Sequence, residues 1–348
     1  MVVVSCRLVR MNPPRARPDD YIAFLVATPG EATATEMARC QPVTPDAPSH
    51  DAFTRLLNRT EPAPGELWRE VRPLLPADGL LVFDDTVLDK PHAHHMGLVD
   101  WHWSGRHGRV VKGINLVTAP WTDGDGLWPC DYRLVDKATS ADTKNDLVRA
   151  MLDTAAERGL KPRCVCFDAW YSGLENLKAV REHGWTFLTQ VRSNRRVNVG
   201  RTGNRSISEC DIAAGGTVAW LEGFGRVTAF RIVRTNGDTE HGITSDVGMD
   251  EWTRLGRAEQ AWGIEVFHRG LKPHPAVDRC QTRMARARRN HIGFALRAFV
   301  RLEWHRVTTG VSGFAAKIGI IREAIRGFLA QGVLAPPTHP TLPRQATA

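Results

Sequence analysis

Lysine is scarce in this chain: of 46 basic residues only 8 are lysine, leaving 38 arginines. No apolar run approaches the ~20 residues that a membrane-crossing helix needs, so no membrane partner is expected. No Cys-x-x-Cys pair occurs. The seven cysteines are odd in number and scattered through 348 residues, which argues against a disulfide framework and a structural zinc site. Cys164 and Cys166 alternate inside an apolar run, as buried core thiols do. The apolar start, Met1 to Cys6, meets Arg7 and Arg10 too early for a secretory leader. A soluble, cytoplasmic protein is therefore expected.

What is present is ordinary in amount and unusual in kind. Hydrophobic residues are 42% and charged residues 24% of the chain, which excludes a disordered or collagen-like polymer. The net charge is +8 and almost all of the positive charge is guanidinium. Guanidinium forks onto phosphate, so nucleic acid leads the list of anionic partners, ahead of acidic membrane surfaces and acidic proteins. A bias in base composition is an alternative source of arginine, so charge alone assigns no function.

Along the chain, residues 1–19 read as an irregular, proline-containing arm. Residues 20–75 read as short helices: Tyr21–Val26, Ala32–Met37 and a helix opened by Ser49-His50-Asp51, together the size of a DNA-binding module. The centre is α/β. Leu80–Phe83, Arg109–Val117, Leu127–Val135, Cys164–Phe167 and Trp185–Val191 read as strands. Helices are predicted from Asp142 to Arg158, capped by Asp142 or Thr143 and stopped by Gly159, and over Leu174–His183. Such an order implies a sheet buried on both faces. Residues 192–243 read as a β-rich insertion, with Arg196–Val199, Thr217–Leu221 and Val227–Val233 as strands. A helical pattern resumes near Asp250 and runs to Lys272, and residues 277–308 read as one long basic helix. Residues 311–348 should hold a final helix and a loose tail.

Carboxylates are placed where chemistry would want them. Asp84-Asp85 and Asp168 close two apolar strand runs, and functional groups of open α/β sheets gather at strand ends. Glu265 shares one helix face with His268, Arg269 and Lys272, leaving Trp262, Val266 and Phe267 for packing. Three convergent carboxylates suit a hard, oxygen-seeking cation. A strand-terminal Asp is equally at home as a turn former or helix cap, so spacing leaves both readings open.

The words around these acids are more specific. Asp84-Asp85-Thr86-Val87-Leu88-Asp89-Lys90-Pro91, Val111-Lys112-Gly113-Ile114-Asn115, Phe167-Asp168-Ala169-Trp170-Tyr171-Ser172 and Trp262-Gly263-Ile264-Glu265-Val266-Phe267-His268-Arg269-Gly270-Leu271-Lys272 resemble DDE transposases of bacterial insertion sequences, in the branch with a β-rich insertion between the second Asp and the Glu. The resemblance runs from about Tyr21 to Glu303. It implies an RNase H-like catalytic core over 76–191 and 244–310, interrupted by the insertion at 192–243. It also implies a metal-ligating triad of Asp85, Asp168 and Glu265, with Asp84 as the alternative first ligand. Two Mg²⁺ ions are expected, with Mn²⁺ as a substitute, and double-stranded DNA as partner: the element's own ends and the target, gripped by a homodimer at the nucleoid. Lys272 matches the family's phosphate-holding lysine. The family's Tyr and Arg upstream of the Glu correspond here to Ala258 and Ala261, and Arg254 or Arg257 are the neighbours that could compensate.

Other features weigh less. His92, His94, His95, His102 and His107 read as a solvated loop near DNA before a transition-metal site. Trp101 and Trp103 alternate as strand residues packed in a core do, and Trp220 and Phe224 are stacking candidates in the insertion. Lys112, Arg269, Lys272, Arg283, Arg286 and Arg289 are the DNA-contact candidates. Eight arginines occupy residues 279–306 with Glu303 the only acid, which reads as a backbone-gripping surface without local counter-charge. The expected activity is cleavage of element ends and joining of 3′ hydroxyls to target DNA. The alternatives are a decayed or domesticated copy that only binds DNA, and a metal nuclease without strand transfer.

Overall fold

The computed structural model describes residues 14–272 and 275–331. Most of the expected N-terminal arm, and the tail after Leu334, lie outside the described residues.

One sheet organises the molecule. Strand β1 (Leu80–Asp89) is its axis. On one side β1 pairs antiparallel with β3 (Arg109–Thr122), whose first half also pairs with β2 (Asp100–Ser104) and whose second half pairs with β4 (Leu127–Leu134). On the other side β1 pairs parallel with β5 (Cys164–Phe167), and β5 with β6 (Phe187–Val191). The order β4-β3-β1-β5-β6, antiparallel before β1 and parallel after it, is the RNase H-like arrangement. Parallel strands need a crossover. It is supplied by α5 (Lys144–Glu157) between β4 and β5, and by α6 (Leu174–Glu182) between β5 and β6.

The local causes are visible in the sequence. Thr143 caps α5: its hydroxyl accepts from the Asp146 amide, and the Asp146 carboxylate accepts from the Thr143 amide. Val148, Met151, Leu152 and Ala155, at spacings of three and four, form its buried face. Gly159 turns the chain at φ +78°. All of Cys164–Phe167 is buried, as a strand covered on both faces must be.

The β-rich insertion is continuous with this sheet. β11 (Thr239–Thr244) pairs with β6, and β10 (Gly225–Val233), β9 (Thr217–Leu221), β7 (Arg196–Val199) and β8 (Arg205–Ser206) extend it outward. The expected Val227 start of β10 moves to Gly225, and β8 and β11 are strands that the sequence pattern does not show.

Helices close both ends. α1 (Pro18–Ala27), α3 (His50–Arg59) and α4 (Pro64–Val71) pack on α8 (Ala285–Thr309), while α2 (Ala34–Arg39) leans on α3. α9 (Gly313–Gln331) touches α1 and α8. Gly293 lets α8 sit on the sheet, since a Cβ there would lie 2.7 Å from the Tyr132 hydroxyl. The basic helix begins at Ala285, not at residue 277. The Lys90 ammonium donates to the carbonyls of Asp278 and Cys280, and Arg288 to that of Thr282, so these carbonyls face cations instead of helical amides. Among the described residues no helix is long and apolar enough to cross a membrane.

Candidate active site

Asp84 and Asp85 do not close β1 but lie within it, paired opposite Thr118 and Val117 of β3. A pleated strand sends consecutive side chains to opposite faces. The two acids therefore meet different neighbours. One Asp84 carboxylate oxygen stands 3.5 Å from Nδ1 of His268, whose Nε2 is 2.9 Å from the Thr118 hydroxyl. Asp85 is held by three donors: the Lys144 ammonium at 2.8 Å, the Asn115 amide at 2.6 Å and the Tyr171 hydroxyl.

Asp168 follows β5 and caps the short turn Ala169–Tyr171, accepting from the amides of Trp170 (2.9 Å) and Tyr171 (3.4 Å). It is open to the cavity, yet protein crowded around it strips away water. That loss of water, then the charge on Asp84, and less strongly that on Asp85, push its carboxyl up to about 6; the two backbone amides oppose the shift. Asp84 is thus the stronger electrostatic neighbour of Asp168.

Glu265 projects from α7 (Glu251–Leu271), which opens on Asp250, a cap accepting from the Thr253 amide at 2.7 Å. The packed face of α7 is Ile264, Phe267, His268 and Leu271. Trp262 and Val266, expected to pack, are exposed, and His268, expected beside Glu265 as a surface cation, is buried against Asp84. The helix is rotated so that its apolar residues cover β1 and β3, leaving Glu265 on the open side.

These elements enclose a cavity of about 1000 Å³ lined by Asp84, Asp85, Asp168 and Glu265, and also by Asp278. Cations surround it: Lys144, Arg106, Arg269, Lys272 and Arg279. Lys272 also donates to the Val87 carbonyl at 3.2 Å, and burial lowers the pKa of its ammonium. A second cavity of about 640 Å³ runs between α7 and the sheet, sharing Asp84, Asp168 and Glu265 but not Asp85. Ala258 and Ala261 line it, so the space that a tyrosine and an arginine would fill is open. Arg254 also lines this groove, buried over the Phe230 ring at 5.5 Å, whereas Arg257 faces Asp246 at 3.5 Å.

The donor chemistry suits a hard divalent cation: Asp84, Asp168 and Glu265 offer only oxygen, and Asp84 sets its negative charge against Asp168, which a cation would relieve. Among the described residues, however, no three His, Cys, Asp or Glu side chains stand close enough together to form a ready-made metal site.

The remaining sequence candidates separate. Arg269 and Lys272 reach the cavity; Lys112 is half-buried on β3 away from its lining, beside Trp101 in register. Arg283 is exposed, Arg286 stands 3.4 Å from Glu61 and Arg289 lies 2.6 Å from Asp136. The arginines of α8 other than Arg288 do have acidic partners. Arg297 pairs with Glu70, Arg301 with Asp19 and Glu70, and Arg306 with Glu303. The partners come mostly from the N-terminal helical region and the loop after β4, which inspection of the helix alone does not reveal. Trp101 and Trp103 are exposed, not core, because they share the uncovered face of β2 while His102 and Ser104 take the buried one; Trp220 is also exposed, whereas Phe224 packs on Phe187. Lys144, Asn115, Tyr171 and Arg106 are site residues that sequence reasoning misses. Lys144 carried a signal: a lysine in a helix's first turn opposes the helix dipole.

A family model described as "DDE superfamily endonuclease" matches residues 13–203. Among solved structures, the chain is similar to a piggyBac transposase in a synaptic complex with hairpin DNA. The TM-score is 0.53 at 11% identity, covering 94% of this chain and 74% of that one. A Drosophila P element transposase strand transfer complex also matches, with TM-score 0.30 and 10% identity over 55% of this chain and 47% of that one. No curated protein matches the sequence.

Proposed function

The chain belongs to the DDE superfamily of endonucleases, and on that premise we propose that it is a DNA transposase of an insertion sequence. It would cut the ends of its element and join the 3′ hydroxyls to target DNA. The observation that carries this reading is that Asp84, Asp168 and Glu265, from a strand, a turn and a helix, all line one cation-rimmed cavity.

We assign the first ligand position to Asp84 rather than Asp85. Asp84 shares both cavities with Asp168 and Glu265, while Asp85 is already occupied by three protein donors. Divalent ions bound by the three carboxylates, two of Mg²⁺ in this reading, would activate the attacking hydroxyl and stabilise the leaving oxygen. His268, held at Nε2 by the Thr118 hydroxyl, stands 3.5 Å from Asp84 and would orient it. Arg269, Lys272 and Arg279 supply positive charge for the phosphodiester backbone, and exposed Arg283 extends it. Double-stranded DNA is the partner in this reading; the similar piggyBac synaptic complex holds hairpin DNA. A homodimer would bring two element ends together.

The test uses a plasmid carrying the gene with its native flanking DNA, incubated with purified protein and Mg²⁺ or Mn²⁺. Nicking at the element ends and joined products are expected, and both vanish in Asp168→Asn while DNA binding persists. Full cleavage by Asp168→Asn would overturn the assignment. A second reading, a protein that binds ends without cutting, is favoured by Ala258 and Ala261, which leave the groove beside the acids unfilled. It predicts binding by the wild type with no nick under either metal.

A further inference from the structure

We propose that Lys144 is a phosphate-binding residue of the cleavage reaction, and that Asp85 is its positioning partner. The inference deepens the function proposed above and rests on it.

The pleat of β1 divides the paired acids between two tasks. Asp85 accepts from Lys144 and Tyr171 on one oxygen and from Asn115 on the other, so both of its oxygens are engaged by the protein. Lys144 is ordered by more than this pair. Its ammonium lies 4.8 Å from the Trp170 ring centre and 5.9 Å from that of Tyr171, and its side chain is 19% exposed. The position costs helix stability, because a cation in the first turn of α5 opposes the positive end of the helix dipole. That same unfavourable placement makes the spot electropositive, the condition under which a phosphate binds.

Lys144 also lies in the right place. It lines the cavity that holds Asp84, Asp168 and Glu265, opposite the cations Arg269 and Lys272 of α7 and the segment that follows it. An ammonium has three donors. Asp85 takes one, and the others serve a DNA phosphate oxygen. Trp170, exposed beside Lys144, gives the adjoining wall an apolar face. The ligand is a phosphodiester of the DNA strand lying in the cavity, on the β5–α5 side of the carboxylates.

The experiment compares wild type, Lys144→Met, Lys144→Arg, Asp85→Asn and the double variant Asp85→Asn/Lys144→Met on the plasmid described above. Methionine keeps the apolar stem against the two rings, so folding is preserved, and native melting confirms it. Three readouts are taken: nicking rate at saturating DNA, metal concentration for half-maximal rate, and the salt dependence of DNA affinity without metal. For Lys144→Met we expect nicking slowed by about 100-fold, an unchanged metal requirement, and a slope of log affinity against log salt smaller by about one. Arginine should restore most of the rate. The double variant should cut no faster than Lys144→Met. Wild-type rates in the double variant would show that Lys144 only neutralises Asp85 and would overturn the inference. Unchanged nicking by Lys144→Met would overturn it too, as would a shifted metal requirement with an unchanged salt slope. Failure of the wild type to nick would instead overturn the function proposed above, and this inference with it.

Discussion

The two long helices α7 and α8 make opposite use of charge. α8 carries most of the arginines in its region, yet the pairs Arg289–Asp136, Arg297–Glu70 and Arg301–Asp19 tie it to the loop after β4 and to the N-terminal helices. α7 is less basic, and it keeps Glu265 and Arg269 open on a cavity. A charged helix is an adhesive when its counter-charges come from other elements, and a reagent when its charges face empty space. Local charge density does not distinguish the two.

The largest effect that would separate the helices is catalytic. Glu265→Gln should lower cleavage by at least about 1000-fold, the scale expected when an essential group is lost, with its melting curve unchanged because Glu265 is exposed. A folded Glu265→Gln enzyme that still cuts would erase the distinction drawn for α7.

On α8 the next effect is acid sensitivity. His291 is fully buried, its Nδ1 2.9 Å from the Tyr21 hydroxyl and its Nε2 3.0 Å from the Ala276 carbonyl. The carbonyl can only accept, so Nε2 carries the proton and Tyr21 donates to Nδ1. Burial lowers the imidazole pKa to about 4. The unfolded chain therefore takes up this proton first as pH falls. Stability from this group is constant above the ordinary histidine value near 6.5 and declines from there to about 4, by about 3 kcal/mol in all. Denaturant titrations across that window check it, and His291→Gln should flatten the decline.

Smaller still, Arg297→Ala should cost about 1 kcal/mol of stability, since it removes the nearer of the two arginines that face a partly buried Glu70 and leaves Arg301 at 3.5 Å, and should leave the salt dependence of DNA binding as it was. A change in that salt dependence would return α8 to the DNA surface. Arg283→Ala, at an exposed position just before α8, should have the least effect: no change in melting and a salt slope smaller by about one.

Much of this fold is written locally. Cys164–Phe167 is a run of apolar residues bounded on both sides, and it forms β5 over those same residues. Asp250 opens α7 as a capping side chain should. β11 is illegible because its pairing with β6, rather than its own composition, makes it a strand. The candidate acids can be picked out in the sequence, but not the face of β1 that each one takes. Leu80–Phe83 is buried on both faces, so no alternation shows which of Asp84 and Asp85 faces α7. Only β1's register with β3, and the position of His268 above it, separates them.

The division of labour between these two acids is what the mechanism depends on, and Mn²⁺ binding and plasmid cleavage by Asp84→Asn beside Asp85→Asn decide it. Asp84→Asn should lose both metal binding and cleavage, whereas Asp85→Asn should bind Mn²⁺ like the wild type and cut more slowly. Loss of Mn²⁺ binding in Asp85→Asn, with binding retained in Asp84→Asn, would reverse the assignment.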